Sequence, residues 1–173
     1  MSKFKKISAA LLLLFVFTGC ASNNVKSYRA DLSTAHHLKG KGDIVLKKVT
    51  MENGDKNAIM CRLAGNIYLP RKMTYSEYIE NAFQNTILLN ENKEGASGKK
   101  RALSINLTKV EFDSLSGKWF IDGIITIDNK PSQEIKSVTK FGTAYVAYAA
   151  CRNAADAFDE AVTDFIVKVI DRI

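Results

Sequence analysis

Residues 103–127 read "LSINLTKVEFDSLSGKWFIDGIITI". Leu103, Ile105 and Leu107 alternate with Ser104, Asn106 and Thr108, the period of a strand with one face in a core. The apolar phase then slips to Val110 and Phe112, so a bulge is expected near Thr108 and Lys109. Ser116-Gly117 supplies a turn, and Trp119, Ile121, Gly123, Ile125 and Ile127 alternate along the next strand. Asn129-Lys130-Pro131 turns the chain again into a less regular strand over about 133–143. Three strands joined by short turns predict an antiparallel meander.

Downstream, the period changes from 2 to 3.6. Tyr148, Cys151, Ala155, Phe158, Val162, Phe165 and Val169 recur at spacings of 3 and 4 and form one apolar stripe. Ala147, Ala150, Ala154, Ala157 and Ala161 widen it with small side chains that allow close approach to a sheet, while Arg152, Asp156, Glu160, Asp164 and Lys168 take the other side. One long C-terminal helix is predicted.

Upstream, "DIVLKKVTM" (43–51) reads as a strand and "ENGDKN" (52–57), with Asn53-Gly54, as a hairpin turn. In 58–69, Ile59, Cys61, Leu63, Gly65, Ile67 and Leu69 alternate with Met60, Arg62, Asn66 and Tyr68. A second half-buried strand is expected there, with Cys61 turned inward. Pro70 stops it. Thr74 followed by Glu77 is a capping box, opening a helix that carries Tyr75, Tyr78, Ile79, Ala82, Phe83, Thr86 and Ile87 at helical spacing and ends near Asn90. A polar loop, "NENKEGASGKK" (90–100), leads back to the meander. The order strand, strand, helix, three strands, helix predicts an α+β fold: a two-layer sandwich with an antiparallel sheet of about five strands and two helices on one face.

Cys61 and Cys151 both fall on predicted inward faces, and if the last helix packs on the sheet they can meet. A disulfide is the expected reading; two buried free thiols are the alternative. The bond would suit an oxidising compartment.

The chain begins with Lys3, Lys5 and Lys6, an apolar run over 7–17, and Thr18-Gly19 before Cys20. A basic start, a short apolar centre and a small-residue exit are the parts of a secretory signal. The run has 11 residues, where a bilayer span needs about 20. Residues 1–19 are therefore read as a signal peptide. Their removal takes three lysines and no acid from a net charge of +7, leaving +4, which argues against nucleic acid as a partner. Residues 20–42, poor in apolar residues and without period, are read as a tether, and 43–173 as a single domain.

Motifs for chemistry are absent from the sequence: no Gly-rich phosphate loop, no G-x-S-x-G, no HExxH and no CxxC. His36 and His37 are the two histidines; they lie in the expected tether and read as solvated. Asp156, Glu160 and Asp164 form an i, i+4 row that supplies too few converging oxygens for a cation. Lys93, Lys99, Lys100 and Arg101 form a basic loop patch, read as solvated. No catalytic residue, metal or cofactor is expected, and the chain is not read as an enzyme.

Phe17-Thr18-Gly19-Cys20 resembles the lipobox of bacterial lipoproteins. Thr18, Gly19 and Cys20 match that pattern, and Phe17 stands where leucine is usual. The resemblance implies cleavage before Cys20 and attachment of fatty acyl chains, palmitate among them, to that cysteine; two or more chains anchor a protein stably. The alternative is ordinary cleavage after Ala21, with Cys20 lost. Ala21 in place of aspartate resembles the outer-membrane sorting pattern. By architecture, residues 43–173 loosely resemble small periplasmic lipoproteins of the transport-auxiliary and lipopolysaccharide-assembly kind. The implied function is a membrane-anchored binding or adaptor module for an envelope protein complex, facing the periplasm; the alternative is a lipid or small-ligand carrier with a cleft between sheet and helices.

Overall fold

The computed structural model describes residues 23–91, 100–128 and 130–173. The expectations for 1–19, Cys20, Lys93, Lys99 and Asn129 lie outside the described residues. In chain order the elements are β1 (Asn23–Asn24), α1 (Leu32–His36), β2 (Asp43–Met51), β3 (Ala58–Met60), β4 (Asn66–Tyr68), α2 (Tyr75–Glu91), β5 (Lys100–Asp113), β6 (Lys118–Ile127), β7 (Gln133–Lys140), α3 (Ala147–Asp156) and α4 (Phe158–Arg172). A short turn, Pro70–Lys72, precedes α2. The class is α+β, as expected.

The meander forms as its alternation dictates. β5 pairs with β6 and β6 with β7, both antiparallel, and the β5 register shifts between Leu107 and Lys109, where the apolar phase slips. Gly117 turns β5 into β6 with φ 62°. A Cβ there would collide with the carbonyl oxygen of Phe141, and the Phe141 amide donates to the Gly117 carbonyl at 2.7 Å. A glycine is required at this position both for its backbone angle and for the close approach.

The expected hairpin between the first two strands does not form. Gly54 adopts a positive φ of 76°, as the turn signal implies, but β2 pairs with β5 instead, in parallel. The main sheet is thus mixed, of four strands in the order β2-β5-β6-β7, and α2 lies on the crossover between its two parallel strands. A parallel pair needs such a crossover because its strands must run the same way. Residues 58–69 form no continuous strand. Arg62 and Leu63 adopt left-handed φ values of 44° and 57° and break the run into β3 and β4, which pair with each other and, through β4, with β1 in a separate three-stranded sheet. Leu63, expected inside, is 93% exposed.

The expected tether is also corrected. From Asn23 onward it is packed structure: Asn23 and Asn24 pair in parallel with Ile67 and Tyr68, and Val25, Thr34, Ala35 and Leu38 are buried. Asp31 caps α1 through its carboxylate, accepting from the Thr34 amide at 2.7 Å. That bond, with a second from Ser33, holds the Asp31 carboxyl below the usual carboxylate range. The folded body therefore starts at Asn23 among the described residues, well before Asp43.

The capping box of α2 closes as expected. The Thr74 amide donates to Glu77 at 2.8 Å and the Glu77 amide to the Thr74 hydroxyl at 3.4 Å. The expected C-terminal helix is two helices, broken at Ala157. A physical reason lies in the core: the Ala154 carbonyl, which an uninterrupted helix would offer to the amide of residue 158, accepts the Trp119 indole N–H at 2.8 Å. The apolar stripe is otherwise inward, except that Tyr148 is exposed.

Helices α2 and α4 pack on one face of the main sheet, α2 against β2 and α4 against β7 and β6. Phe83, Leu103, Ile105, Trp119, Ile121 and Phe165 fill the space between them and are fully buried. The cleft that a lipid carrier would need between sheet and helices is occupied by these side chains.

Candidate functional site

Three surface features stand out from this scaffold. The first is the face of the main sheet opposite the helices. Period-2 alternation sends Asn106, Lys109, Glu111, Phe120, Asp122, Ile124, Glu134, Lys136 and Val138 to that side, where each is exposed or half-buried. Register sets Asp122 between Lys109 and Lys136, and Phe120 between Glu111 and Val138. The Lys109 ammonium sits 4.8 Å from the centre of the Phe120 ring and 3.4 Å from Glu111. Lys136 lies 3.0 Å from Glu134; the hydrogen bond and charge of Glu134, with Asp122 behind, hold its ammonium above the ordinary lysine value. The face therefore carries apolar side chains inside a lattice of both charge signs. Charges paired within the face leave Phe120, Ile124 and Val138 as its open apolar contacts.

The second feature is the end of the molecule where β5 and β7 finish. Cys61 and Cys151 form a disulfide there, as expected, closing a loop across a sequence separation of 90. Arg62 spans three loops. Its Nε donates to the Ser114 hydroxyl at 2.7 Å, its Nη1 to the Ala144 carbonyl at 3.1 Å and its Nη2 to the Ser114 carbonyl. The Thr143 hydroxyl adds a bond to the same Ser114 carbonyl at 3.0 Å. Hydrogen bonds from the Ser116 hydroxyl and the amides of Leu115 and Ser116 fix Asp113 and hold its carboxyl below the usual range. The loops so joined expose Leu63, Leu115 (76%), Tyr145 and Val146 (68%).

The third is the Pro70–Lys72 turn, where Arg71 and Lys72 adopt left-handed φ values of 55° and 58°. Non-glycine residues rarely do so, and they cluster at functional positions when they do. Grooves of about 340 and 700 Å³ flank the turn. The smaller is lined by Tyr28, Asn81 and Asn85, the larger by Asn24, Asn57 and Tyr68, and both by Arg71. Both are open depressions of the surface, and the amide and guanidinium groups that line them suit a polar ligand.

No protein-family model matches the chain, and no curated protein matches it in sequence. A solved structure described as "Crystal structure of uncharacterized protein" superposes with a TM-score of 0.52, covering 87% of this chain and 98% of that one at 6% identity. The likeness is one of fold.

Of the three cysteines singled out from sequence, the structure brings together Cys61 and Cys151; Cys20 lies outside the described residues. The remaining candidates are apart and engaged locally. His37 Nδ1 meets the Asp171 carboxylate at 3.3 Å, Asp156 pairs with Lys26 at 3.0 Å, and the Asp164 carboxylate accepts from the Thr139 hydroxyl at 2.6 Å. Among the described residues, no three His, Cys, Asp or Glu side chains converge as a metal site would require. Burial raises the phenols of Tyr75 and Tyr78 far above their ordinary values, so both are neutral at physiological pH. Arg62 was missed by sequence reasoning, which placed it on the solvent side of a strand. The signal was Gly65-Asn66: a glycine inside an alternating run marks a break as readily as a strand position.

Proposed function

We propose that this chain is a lipid-anchored lipoprotein of the bacterial cell envelope, attached at Cys20 and acting as a non-enzymatic binding or adaptor module on the periplasmic side of the outer membrane. The observation that carries the binding role is the uncovered face of the four-stranded sheet. Among the described residues, the helices that contact the sheet lie on its other, buried side, and Phe120, Ile124 and Val138 are left among paired charges. The Cys61–Cys151 disulfide supports export, because such bonds persist in oxidising compartments. The lipobox resemblance supports the anchor, and palmitate is the expected kind of acyl chain.

A second reading, a small-ligand carrier, is favoured by the grooves beside Pro70–Lys72. Their lining assigns that reading a polar or anionic ligand; among the described residues, the space between sheet and helices is filled by side chains.

Site-specific photo-crosslinking in native membranes separates these readings. A photoreactive side chain at Ile124, on the sheet face, is expected to form a reproducible adduct with an envelope protein. The same group at Leu32, exposed on α1, is expected to form none. Recovery of monomer alone from the Ile124 variant would overturn the adaptor.

A further inference from the structure

The disulfide-bonded end exposes apolar side chains that the adaptor reading does not use. We propose that this end, through Leu63, Leu115, Tyr145 and Val146, lies directly against the lipid surface to which Cys20 anchors the protein. The proposal rests on the anchor at Cys20 and adds the orientation of the folded body and the residues that touch lipid.

β1 runs parallel to β4, with Asn23 opposite Ile67, so the chain enters the fold at the level of Asn66, beside the turn that holds Arg62 and Leu63. Cys20 stands three residues before Asn23, and three residues of chain reach about 11 Å at most. β5, which runs the length of the sheet toward this end, has 14 residues and spans about 46 Å at ~3.3 Å per residue. An acyl anchor on so short a lead holds the entry point at the bilayer surface. The opposite end, where Arg101 donates to the Ile173 carbonyl at 2.6 Å and His37 meets Asp171, lies far beyond its reach.

The chemistry of this end agrees with its position. Leucine, valine and tyrosine at loop tips suit the boundary between headgroups and acyl chains, where tyrosine is enriched in membrane proteins. Lys118 and Lys140 are cross-strand neighbours at the same end, with Asp113 across from Lys118 on the other side; the two cations outnumber the one carboxylate in this row and are attracted to anionic headgroups. The loops are held in place before any lipid arrives, by the disulfide, by the three bonds of Arg62 and by Asn153 to the Gly142 carbonyl at 2.9 Å. Presenting Leu63 and Tyr145 therefore costs little further ordering. Two left-handed residues in succession, Arg62 and Leu63, are what turn the leucine outward.

Tryptophan scanning with lipid-borne quenchers tests the orientation. Full-length, lipidated protein carrying Leu63→Trp, Tyr145→Trp or Leu32→Trp is reconstituted into vesicles of phosphatidylethanolamine and phosphatidylglycerol that contain bromine-labelled acyl chains. All three positions are exposed, so the substitutions disturb little packing, and the emission of buried Trp119, measured on the unsubstituted protein, is subtracted from that of each variant. Emission from positions 63 and 145 is expected to be lost in large part and to shift to the blue, with position 32 unchanged. Vesicle-bound protein in which positions 63 and 145 are quenched no more than 32 would overturn the orientation and leave the anchor standing. Protein that fails to float with the vesicles would overturn the anchor, and the orientation with it.

Discussion

Replacing Cys61 and Cys151 together by alanine is expected to lower the unfolding free energy by about 4.5 kcal/mol, the chain-entropy effect of opening a loop of this length. With a urea slope of roughly 2 kcal/mol per molar for a domain of this size, the midpoint should fall by about 2 M. Alanine is the better replacement than serine because both cysteines are buried, and a serine hydroxyl there would add the cost of an unpaired polar group. Reduction of the unsubstituted protein should reproduce the shift. The bond also ties α3 to the turn after β3, so its loss should loosen the Arg62 platform before the sheet. Equal midpoints for the oxidised protein and the double variant would show that the bond constrains nothing of consequence.

Phe158→Ala is expected to cost about 3–5 kcal/mol. Phe158 is fully buried, and its ring centre lies 4.7 Å from that of Trp119, 5.2 Å from Tyr78 and 5.3 Å from Tyr75. It stands at the first residue of α4, so one ring joins the helical layer to β6 and to α2. Truncation leaves a cavity among rigid rings that cannot close in upon it, hence the upper part of the range for core truncations. Against a total stability of about 5–15 kcal/mol for a domain, either change removes a large share. Chemical denaturation gives the measurement, and a loss below about 1 kcal/mol would mean that the ring cluster relaxes, contrary to the packing described.

What was legible in the sequence was what local patterning determines. The strands β5, β6 and β7, the bulge after Leu107 and the cap at Thr74 and Glu77 depend on neighbours in sequence, and each lies where the pattern placed it. Partner choice was not legible. Asn53-Gly54 marks a turn, and a turn forms, but nothing local says that β2 will pair with a strand some fifty residues later and in parallel. The stretch 58–69 was misread because its alternation is strict and continuous, whereas backbone angles at Arg62 and Leu63 interrupt it. The expected disulfide forms all the same, from a turn rather than from the strand that was taken to position Cys61. Residues 23–42 were misread for the opposite reason. Their apolar residues are few, but Val25, Ala35 and Leu38 are all buried, and sparse contacts without a period leave no signal. The exposed apolar end around Arg62 was invisible because its residues come from three loops that only the folded chain brings together.

Attachment at Cys20, three residues before Asn23, is the claim on which the proposed envelope role and the orientation at the membrane depend. Mass spectrometry of the mature amino-terminal peptide, taken from separated membrane and soluble fractions, tests it most directly. The expected result is membrane-bound protein whose first residue is Cys20, carrying a thioether-linked diacylglycerol and an acylated amino group. An unmodified peptide beginning at Ser22, recovered from the soluble fraction, would contradict it.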